Sequence, residues 1–402
     1  MIELASPKSC TACQACVNVC PKHSISMNPD KEGFLQPVIN REMCIECGTC
    51  QRKCPALNDL RFTPKEQRAY AMISNQDRTL SSSGGAFSVF SRMILNQGGI
   101  VFGATLDKNL QCRHIGIEDV SDLFRLRGAK YVQSDVGSTF LEVKKNLLKN
   151  RKVLFSGTPC QVAGLYSYLG KRYDDLLVTL DLICHGVPNQ QTFNSYLNKL
   201  ASAKHKKVTD FQFRKMDSWS IIPSVKYNNG KWERLDLWEN AYMDAFFKGI
   251  TFRESCFNCK YCNLNRQGTF TIADFWGVGG GAQPFKKNVA QGVSLVIDNQ
   301  GKISDYIDEI SQLAYIEERP LSEAVEKQHN LKLPMQRCPE RDFAIRLMLD
   351  DDVSLFEFAK QCGLPHKKTI KHFFVRTVKN MIDRLGLYNL YKTVSYKMGK
   401  TS

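Results

Sequence analysis

The 402-residue chain lacks any long apolar run, and no hydrophobic stretch approaches the roughly 18 residues that a membrane-spanning helix needs. Its first residues, MIELASPKSC, lack the basic head and the apolar core of a secretion signal. Hydrophobic residues (43%) and charged residues (24%) occur at ordinary globular levels. These features together predict a soluble cytoplasmic protein of about two to three domains.

Acidic residues are fewer than basic ones, with 40 Asp and Glu against 55 Lys and Arg, and the formal net charge is +15. Residues 366–402 alone hold nine Lys or Arg and one Asp, a net of +8. Apolar residues at helical spacing predict a basic amphipathic helix in this segment: Ile370, Phe374, Val378, Ile382 and Leu385. Such a helix can lie on the inner membrane surface, bind a partner, or pack on its own protein. No recognition motif accompanies the charge, so we do not expect nucleic-acid binding.

Disulfides are not expected, because sixteen cysteines in a reducing compartment favour metal binding. Two runs, CTACQACVNVCP and CIECGTCQRKCP, share the C-x2-C-x2-C-x3-C-P spacing of bacterial ferredoxins, in which the fourth cysteine ligates the other cluster. A pair of zinc sites would not require a fourth cysteine and a proline at the same offsets in both runs. The first [4Fe–4S] cluster is assigned to Cys10, Cys13, Cys16 and Cys54. The second is assigned to Cys44, Cys47, Cys50 and Cys20.

The rest of the chain changes character after a short linker, RFTPKEQ. Alternating predicted strands and helices follow. A hairpin with an Asn-Gly turn is predicted for the segment SVKYNNGKWERLDL. The predicted fold is therefore a multidomain α+β or α/β protein, in which a small ferredoxin domain precedes an α/β core with an antiparallel annex. The predicted regions are a ferredoxin domain, two core regions and a basic helical tail, at 1–62, 63–150, 151–330 and 331–402.

A third cysteine run, SCFNCKYCN, contains Cys256, Cys259 and Cys262 but no fourth cysteine. Two candidates to complete it are Cys160 and Cys184, each of which directly follows a predicted core strand. Strand ends are where ligands gather in α/β sheets. Each of the two also fits an inert buried thiol when it is taken alone.

Five motifs occur in the order of a known family: SSSGGAFS, LRGAKYVQSD, SGTPCQVAGL, DLICHGVP and FRESCFNCKYCNLNRQGTFTIADFWGV. From Cys10 to about residue 330 the chain resembles the family of coenzyme F420 hydrogenase/dehydrogenase beta subunits, which are iron–sulfur flavoproteins. The resemblance implies bound FAD and a further [4Fe–4S] cluster on Cys160, Cys184, Cys256 and Cys259. Cys262 is then spare; if it is a ligand, Cys184 is the member that it replaces. The ADFWG form resembles a bacterial, polysaccharide-locus branch in which F420 is often absent, so the electron partner stays open.

The candidate flavin residues begin with Ser83, Gly84 and Gly85, directly before a predicted helix. Free backbone N–H groups at a helix start suit a pyrophosphate, although an ordinary capped helix has the same pattern. GVGGGA at 277–282 is rejected as a dinucleotide fingerprint, because Pro284 interrupts the helix that such a fingerprint needs.

The family position implies further cofactor contacts at Lys130, Tyr131, Thr158 and Asp274. His185 and Lys130 are the candidate catalytic residues, with His185 a potential proton donor beside a cluster cysteine. Each of these residues also fits a role without cofactor or substrate. His185 can hydrogen-bond to the backbone, Lys130 and Tyr131 can be surface residues, and Asp274 can cap a turn.

Two functional hypotheses follow. In the first, the protein is an oxidoreductase in which FAD exchanges a hydride with F420 or another organic substrate, and three clusters pass single electrons to a ferredoxin-like partner. In the second, the protein is an electron-transfer subunit that relays electrons to a separate catalytic partner.

Overall fold

The computed structural model describes residues 2–58, 64, 66–170, 173–214, 221–280 and 283–367. The predicted basic helix lies almost entirely outside these described residues. The helices are α1 (Ala15–Val19), α2 (Thr49–Arg52), α3 (Ala86–Leu95), α4 (Thr139–Leu148), α5 (Pro159–Leu169), α6 (Gln190–Lys204), α7 (Ala241–Lys248), α8 (Ile307–Leu313), α9 (Leu321–Glu326), α10 (Arg341–Leu349) and α11 (Leu355–Gln361). The strands are β1 (Ile25–Pro29), β2 (Leu35–Ile39), β3 (Arg68–Ser74), β4 (Ile100–Leu106), β5 (Cys112–Ile117), β6 (Val153–Gly157), β7 (Leu177–Leu182), β8 (Val208–Gln212), β9 (Ser224–Tyr227), β10 (Trp232–Arg234), β11 (Phe270–Asp274), β12 (Ser294–Asp298) and β13 (Ala314–Arg319). Among the described residues, no helix is long and apolar enough to cross a membrane.

The N-terminal unit consists of the short helices α1 and α2 and the antiparallel hairpin β1–β2. The hairpin turns where Gly33 adopts a φ of +86°, and the Asp30 carboxylate accepts the backbone N–H groups of Glu32 and Phe34. Besides cysteines, the unit buries few apolar side chains: Ala5, Ala12, Ala15, Ile25 and Phe34. So small a core suits a domain that is held together mainly by its metal clusters.

A mixed eight-stranded sheet, in the order β13-β3-β12-β11-β7-β6-β4-β5, forms the centre of the chain. β4, β6, β7 and β11 run parallel, and antiparallel strands flank them. Val101 and Leu154 pack with α3 and α8 on one face, whereas Phe102 and Phe155 pack with α4 and α5 on the other. Because β6, β7 and β11 run in one direction, their carboxyl ends meet at one edge, here called the strand-end edge.

The annex is a separate antiparallel sheet of β8, β9 and β10. The predicted Asn-Gly hairpin is confirmed, since β9 pairs with β10 and Gly230 adopts a φ of +78° in the turn. The helices α6, α7, α10 and α11 pack against this sheet around a second core. Its largest buried side chains include Phe193, Tyr196, Phe211, Tyr242 and Phe358.

The predicted mixed α/β multidomain architecture is confirmed, with two differences in its detail. Strands of the central sheet come from both predicted core regions, 63–150 and 151–330, so these regions fold together. The helices α10 and α11 fall within the predicted tail, 331–402, yet their apolar faces are buried in the second core. The predicted tail was drawn too long, because the excess of basic residues begins only beyond residue 366 and does not include α10 and α11.

Candidate iron–sulfur centres

One cavity of the N-terminal unit is lined by four cysteines from both N-terminal runs, here called the outer set: Cys20, Cys44, Cys47 and Cys50. Ile25, Ile39 and Ile45 also line this cavity and make its surroundings apolar. Cys47 is exposed, which places the outer set at the protein surface.

A second cavity is lined by the remaining four cysteines of these runs, here called the inner set: Cys10, Cys13, Cys16 and Cys54. Cys10 and Cys13 are buried. Burial raises the pKa of Cys16 to about 12, so that its thiol is protonated at neutral pH in the absence of metal. Iron binding to this set must therefore release protons.

Each set combines three cysteines of one run with the last cysteine of the other run. No group of three or more His, Cys, Asp or Glu side chains within the described ranges is close enough to hold a single metal ion. A cubane has a different requirement, because each of its four irons takes one thiolate at a separate corner. Each set supplies four thiols, the number that a [4Fe–4S] cluster takes, and the ligand assignment itself stays a prediction.

A third group of thiols meets at the strand-end edge. Cys160 lies in the first turn of α5, directly after β6, and Cys184 follows the neighbouring strand β7. Cys256 lies in the short 3₁₀ helix Glu254–Asn258, and Cys259 directly follows that helix. Burial, and then repulsion by Cys256, Cys160 and Cys259, raises the pKa of Cys184 well above its ordinary value. These four cysteines, here called the third set, are thus close neighbours.

Cys262 is buried beside the third set. The Asn330 side-chain amide approaches its Sγ to 3.9 Å, and a hydrogen bond with the Cys259 thiol lowers the pKa of Cys262. The structure therefore brings all five thiols together, and the choice between Cys184 and Cys262 as the fourth ligand stays open.

α5 carries the contact between the inner set and the third set. A Cβ atom at Gly164 would lie 2.9 Å from Cβ and 3.0 Å from Sγ of Cys13. Gly164 follows Cys160 by about one helical turn, a separation of about 5–6 Å between Cβ positions. In addition, the Gln14 side chain donates to the Asp135 carboxylate at 2.6 Å. The inner and third sets are therefore neighbours across a close domain contact.

We expect Gly164→Ala to destabilise the protein by about 1–3 kcal/mol, the usual cost of overpacking, and to impair iron loading of the inner set. The added methyl group would collide with Cys13, whose position the ligand set constrains. Chemical unfolding and iron content per chain would measure both effects. Gly103→Ala is the matched control, because its added Cβ would come no closer than 3.5 Å to a neighbouring atom. If Gly164→Ala and Gly103→Ala lose the same stability and the same iron, the predicted close contact between Gly164 and Cys13 is wrong.

The candidate phosphate loop has a packing explanation for its glycines. A Cβ at Gly84 would lie 2.2 Å from the carbonyl oxygen of Met72 and 2.3 Å from the backbone nitrogen of Ser294. Gly85 adopts a φ of +91° at the start of α3. The Ser83 hydroxyl donates to the Val293 carbonyl at 3.0 Å. These contacts seat the loop on β3 and β12 and require no phosphate, so its role in flavin binding stays a prediction.

Three other candidate cofactor residues, Lys130, Tyr131 and Asp274, already have protein partners, and Asp274 is the last residue of β11. Lys130 Nζ donates to two backbone carbonyls, those of Leu126 and Arg127, at 2.8 Å each, and burial lowers its pKa to about 8. Asp274 accepts from the Arg214 guanidinium at 2.6 Å, and the Tyr131 hydroxyl hydrogen-bonds to the same guanidinium. The Asp274 carboxylate therefore neutralises a buried cation, a role beyond that of a turn cap.

Thr158 caps α5, forming a capping box with Gln161, and its hydroxyl lies 3.1 Å from Cys160 Sγ. His185 Nδ1 hydrogen-bonds to Asn330 at 3.0 Å. Its Nε2 atom is buried and has no hydrogen-bond partner among the described residues. That orphaned nitrogen is compatible with a bound group at the strand-end edge, and the catalytic role of His185 stays a prediction.

Two family models match the chain in the order that the motifs predicted. Residues 9–58 match the 4Fe-4S dicluster domain. Residues 150–324 match the C terminus of the coenzyme F420 hydrogenase/dehydrogenase beta subunit. The chain is therefore similar to this family of beta subunits over residues 150–324. The predicted resemblance is confirmed, and the beta-subunit-like chain is an iron–sulfur electron-transfer protein related to oxidoreductases.

Named relatives agree with both parts of this beta-subunit-like chain. The F subunit of the F(420)H(2) dehydrogenase of Methanosarcina mazei is 24% identical over 194 residues, which cover 45% of this chain and 55% of the relative. The polyferredoxin-like subunit of the aliphatic sulfonate oxidoreductase of Pyrococcus furiosus is 41% identical over 51 residues, or 12% of this chain and 28% of the relative. The match thus spans about half the length of the first relative and less of the second.

A solved structure, the F420-reducing [NiFe] hydrogenase complex of Methanosarcina barkeri derivatised with xenon, contains a chain that is 14% identical. The alignment covers 77% of this chain and 98% of that chain, with a TM-score of 0.42. This similarity is too low to assign a shared fold.

Several residues that shape the site of this beta-subunit-like chain were missed by sequence reasoning. Asp181 on β7 accepts from the Arg266 guanidinium at 3.0 Å and from the backbone N–H groups of Gln267 and Gly268. It thereby anchors the segment that follows the third cysteine run to the sheet. An aspartate inside the apolar strand sequence LVTLDLI was the available signal, because a buried carboxylate needs partners. Arg253, whose guanidinium donates to the carbonyl oxygen of Cys10 at 3.0 Å, carried no comparable signal in the sequence.

Proposed function

We propose that this protein carries three [4Fe–4S] clusters in series and passes electrons between a one-electron protein partner and a two-electron organic substrate. The observation that carries the proposal is the succession of three thiol sets from the surface to the strand-end edge. The outer set includes exposed Cys47, and the inner set reaches α5 at Gly164, one turn from Cys160 of the third set. Each adjacent pair of sets is in contact or shares one small domain, as a relay requires.

The outer set is the proposed entry point for a ferredoxin-like carrier or another redox protein. Met43 and Ile45 flank Cys44 in the chain, and their side chains are 50% and 58% exposed. Exposed apolar side chains around a surface cluster suit a transient protein contact in which a short approach to the cluster matters.

FAD enters the proposal from the family resemblance. When bound, it would supply the exchange of one electron pair for two single electrons, which is what couples an organic hydride donor or acceptor to clusters. The chain's own contribution at this edge is positional: Asp274 and Arg214 neutralise one another, and Lys130 is held by backbone carbonyls. F420 is one candidate substrate, because the Methanosarcina mazei relative is named as part of an F(420)H(2) dehydrogenase.

A second candidate function is electron relay without a substrate of its own. Its support is that both curated relatives are named as subunits, of a dehydrogenase and of an oxidoreductase. In that case the strand-end edge delivers electrons to a catalytic partner protein and not to a small molecule.

One experiment separates these functions. Full-length protein that is reconstituted without oxygen should contain about twelve irons, four per cubane, and about one FAD per chain. A screen of F420, nicotinamides and nucleotide sugars should then reveal a compound that changes the flavin absorbance. A folded protein with three clusters but no flavin would overturn the enzyme function and favour the electron relay. Iron content near eight would contradict the third cluster.

A further inference from the structure

Arg253 is a buried cation without a carboxylate partner. Its side chain is 1% exposed, and within the described ranges no carboxylate lies at salt-bridge distance from its guanidinium. Its three hydrogen bonds go to neutral oxygens, those of the Gln133 side chain and of the Cys10 and Leu35 carbonyls. A buried charge is costly unless an opposite charge offsets it, so the surroundings of Arg253 should supply negative charge.

Arg253 contacts both the inner set and the third set. Its guanidinium donates to the carbonyl oxygen of Cys10 at 3.0 Å, and its backbone carbonyl accepts the N–H of Cys256 at 3.0 Å. Burial lowers the pKa of Arg253, and the neighbouring ionisable groups Cys10, Cys256, Asp30 and Cys160 oppose this shift. Three of these four are proposed cluster ligands, which become thiolates on iron binding and give the clusters a negative charge.

We infer that Arg253 is a positioning residue of the relay: its buried positive charge is shared by the inner and third clusters and holds both at raised reduction potentials. The inference rests on the proposed three-cluster relay. With both clusters bound, the step concerned would move one electron from the inner cluster to the third cluster, and no bond or proton would change. A nearby cation favours the reduced form of each cluster, because that form carries one more negative charge.

A purely structural role for Arg253 is also conceivable, because it helps to clamp the N-terminal unit. The guanidinium carbons of Arg253 and Arg341 lie 5.3 Å and 5.6 Å from the centre of the Phe34 ring, so both cations contact this ring. Arg341 is equally buried, but it is paired with the carboxylates of Glu32 and Asp342. Arg341 therefore shares the clamp with Arg253 without acting on a cluster ligand, and it serves as the matched control.

The test is an EPR-monitored redox titration of the anaerobic full-length holoprotein. Arg253→Gln should lower the midpoint potentials of the inner and third clusters by about 59 mV, a tenfold change in each one-electron equilibrium. The outer cluster should keep its potential. Arg253→Lys, which retains the charge, should keep the inner and third potentials close to those of the unmodified protein. Arg341→Gln should leave all three potentials unchanged while lowering thermal stability.

Two results would overturn the inference: unchanged inner and third potentials in Arg253→Gln, or the same lowering in Arg341→Gln. If Arg253→Gln does not load its clusters, Arg253→Lys decides, because a full tenfold shift with the charge retained would exclude an electrostatic role. Failure of the proposed relay is distinguishable, because it appears in the unmodified protein as the absence of a third cluster.

Discussion

Cys54→Ala should remove the inner cluster and leave the outer one, although Cys54 is the last cysteine of the run whose other three cysteines belong to the outer set. Cys20→Ala should do the reverse. The physical reason is the lining of the two cavities, in which each of these cysteines faces the three thiols of the other run. A cubane that loses one of four thiolates is exposed to solvent at one iron and is readily lost, so the iron content should fall by about four per chain.

The two variants should also differ in their effect on electron flow. The inner set lies between the outer and third sets, so Cys54→Ala should stop reduction of the third cluster by a protein donor. Iron content and the EPR signal of each cluster would check this prediction. Cys338→Ala is the control, because the Cys338 thiol donates to the Glu340 carboxylate and belongs to none of the three sets, so this variant should retain every cluster. Two intact EPR signals in Cys20→Ala or Cys54→Ala would refute the crossed assignment.

The second large effect concerns the third set. Cys160→Ala or Cys256→Ala should abolish its cluster, lowering the iron content from about twelve to about eight per chain. Cys160 and Cys184 follow the ends of the adjacent parallel strands β6 and β7, so both lie at the strand-end edge. Cys262→Ala should be nearly silent, because this thiol is buried against Asn330 in the predicted arrangement.

The comparison of Cys184→Ala with Cys262→Ala decides between the two open ligand sets, and each variant serves as the control for the other. Iron content and the EPR spectrum of the third cluster are the measurements. Loss of the cluster in Cys262→Ala together with its retention in Cys184→Ala would show that the third cysteine run supplies three ligands.

Much of this protein follows from local sequence. The strands before Cys160 and Cys184 and the helix after Gly85 lie where apolar patterning predicted them, because each element buries a face within a short stretch of chain. The crossed cysteine pattern was predictable for a similar reason. Short, repeated spacings limit which thiols can reach a common cluster.

Other features depended on contacts between distant segments. Gly84 was read as a place for phosphate to approach, yet it sits against the backbone of β3 and β12. α10 and α11 were assigned to a basic tail, because nothing in their own sequence shows that the annex covers their apolar faces. In each case the deciding neighbour lies far away in the chain.

By itself, the sequence determined the identity of the cysteine runs, the resemblance to the beta-subunit family and the succession of strands and helices, since these depend on covalent spacing and local burial. Only the tertiary structure decided that the inner set meets α5 at Gly164, that Cys160 and Cys184 share an edge, and that Arg253 contacts two sets of thiols. Such neighbours are joined by sheet pairing and domain packing. The free energy of those contacts depends on partners that are far apart in the chain, so the local sequence pattern does not predict these contacts.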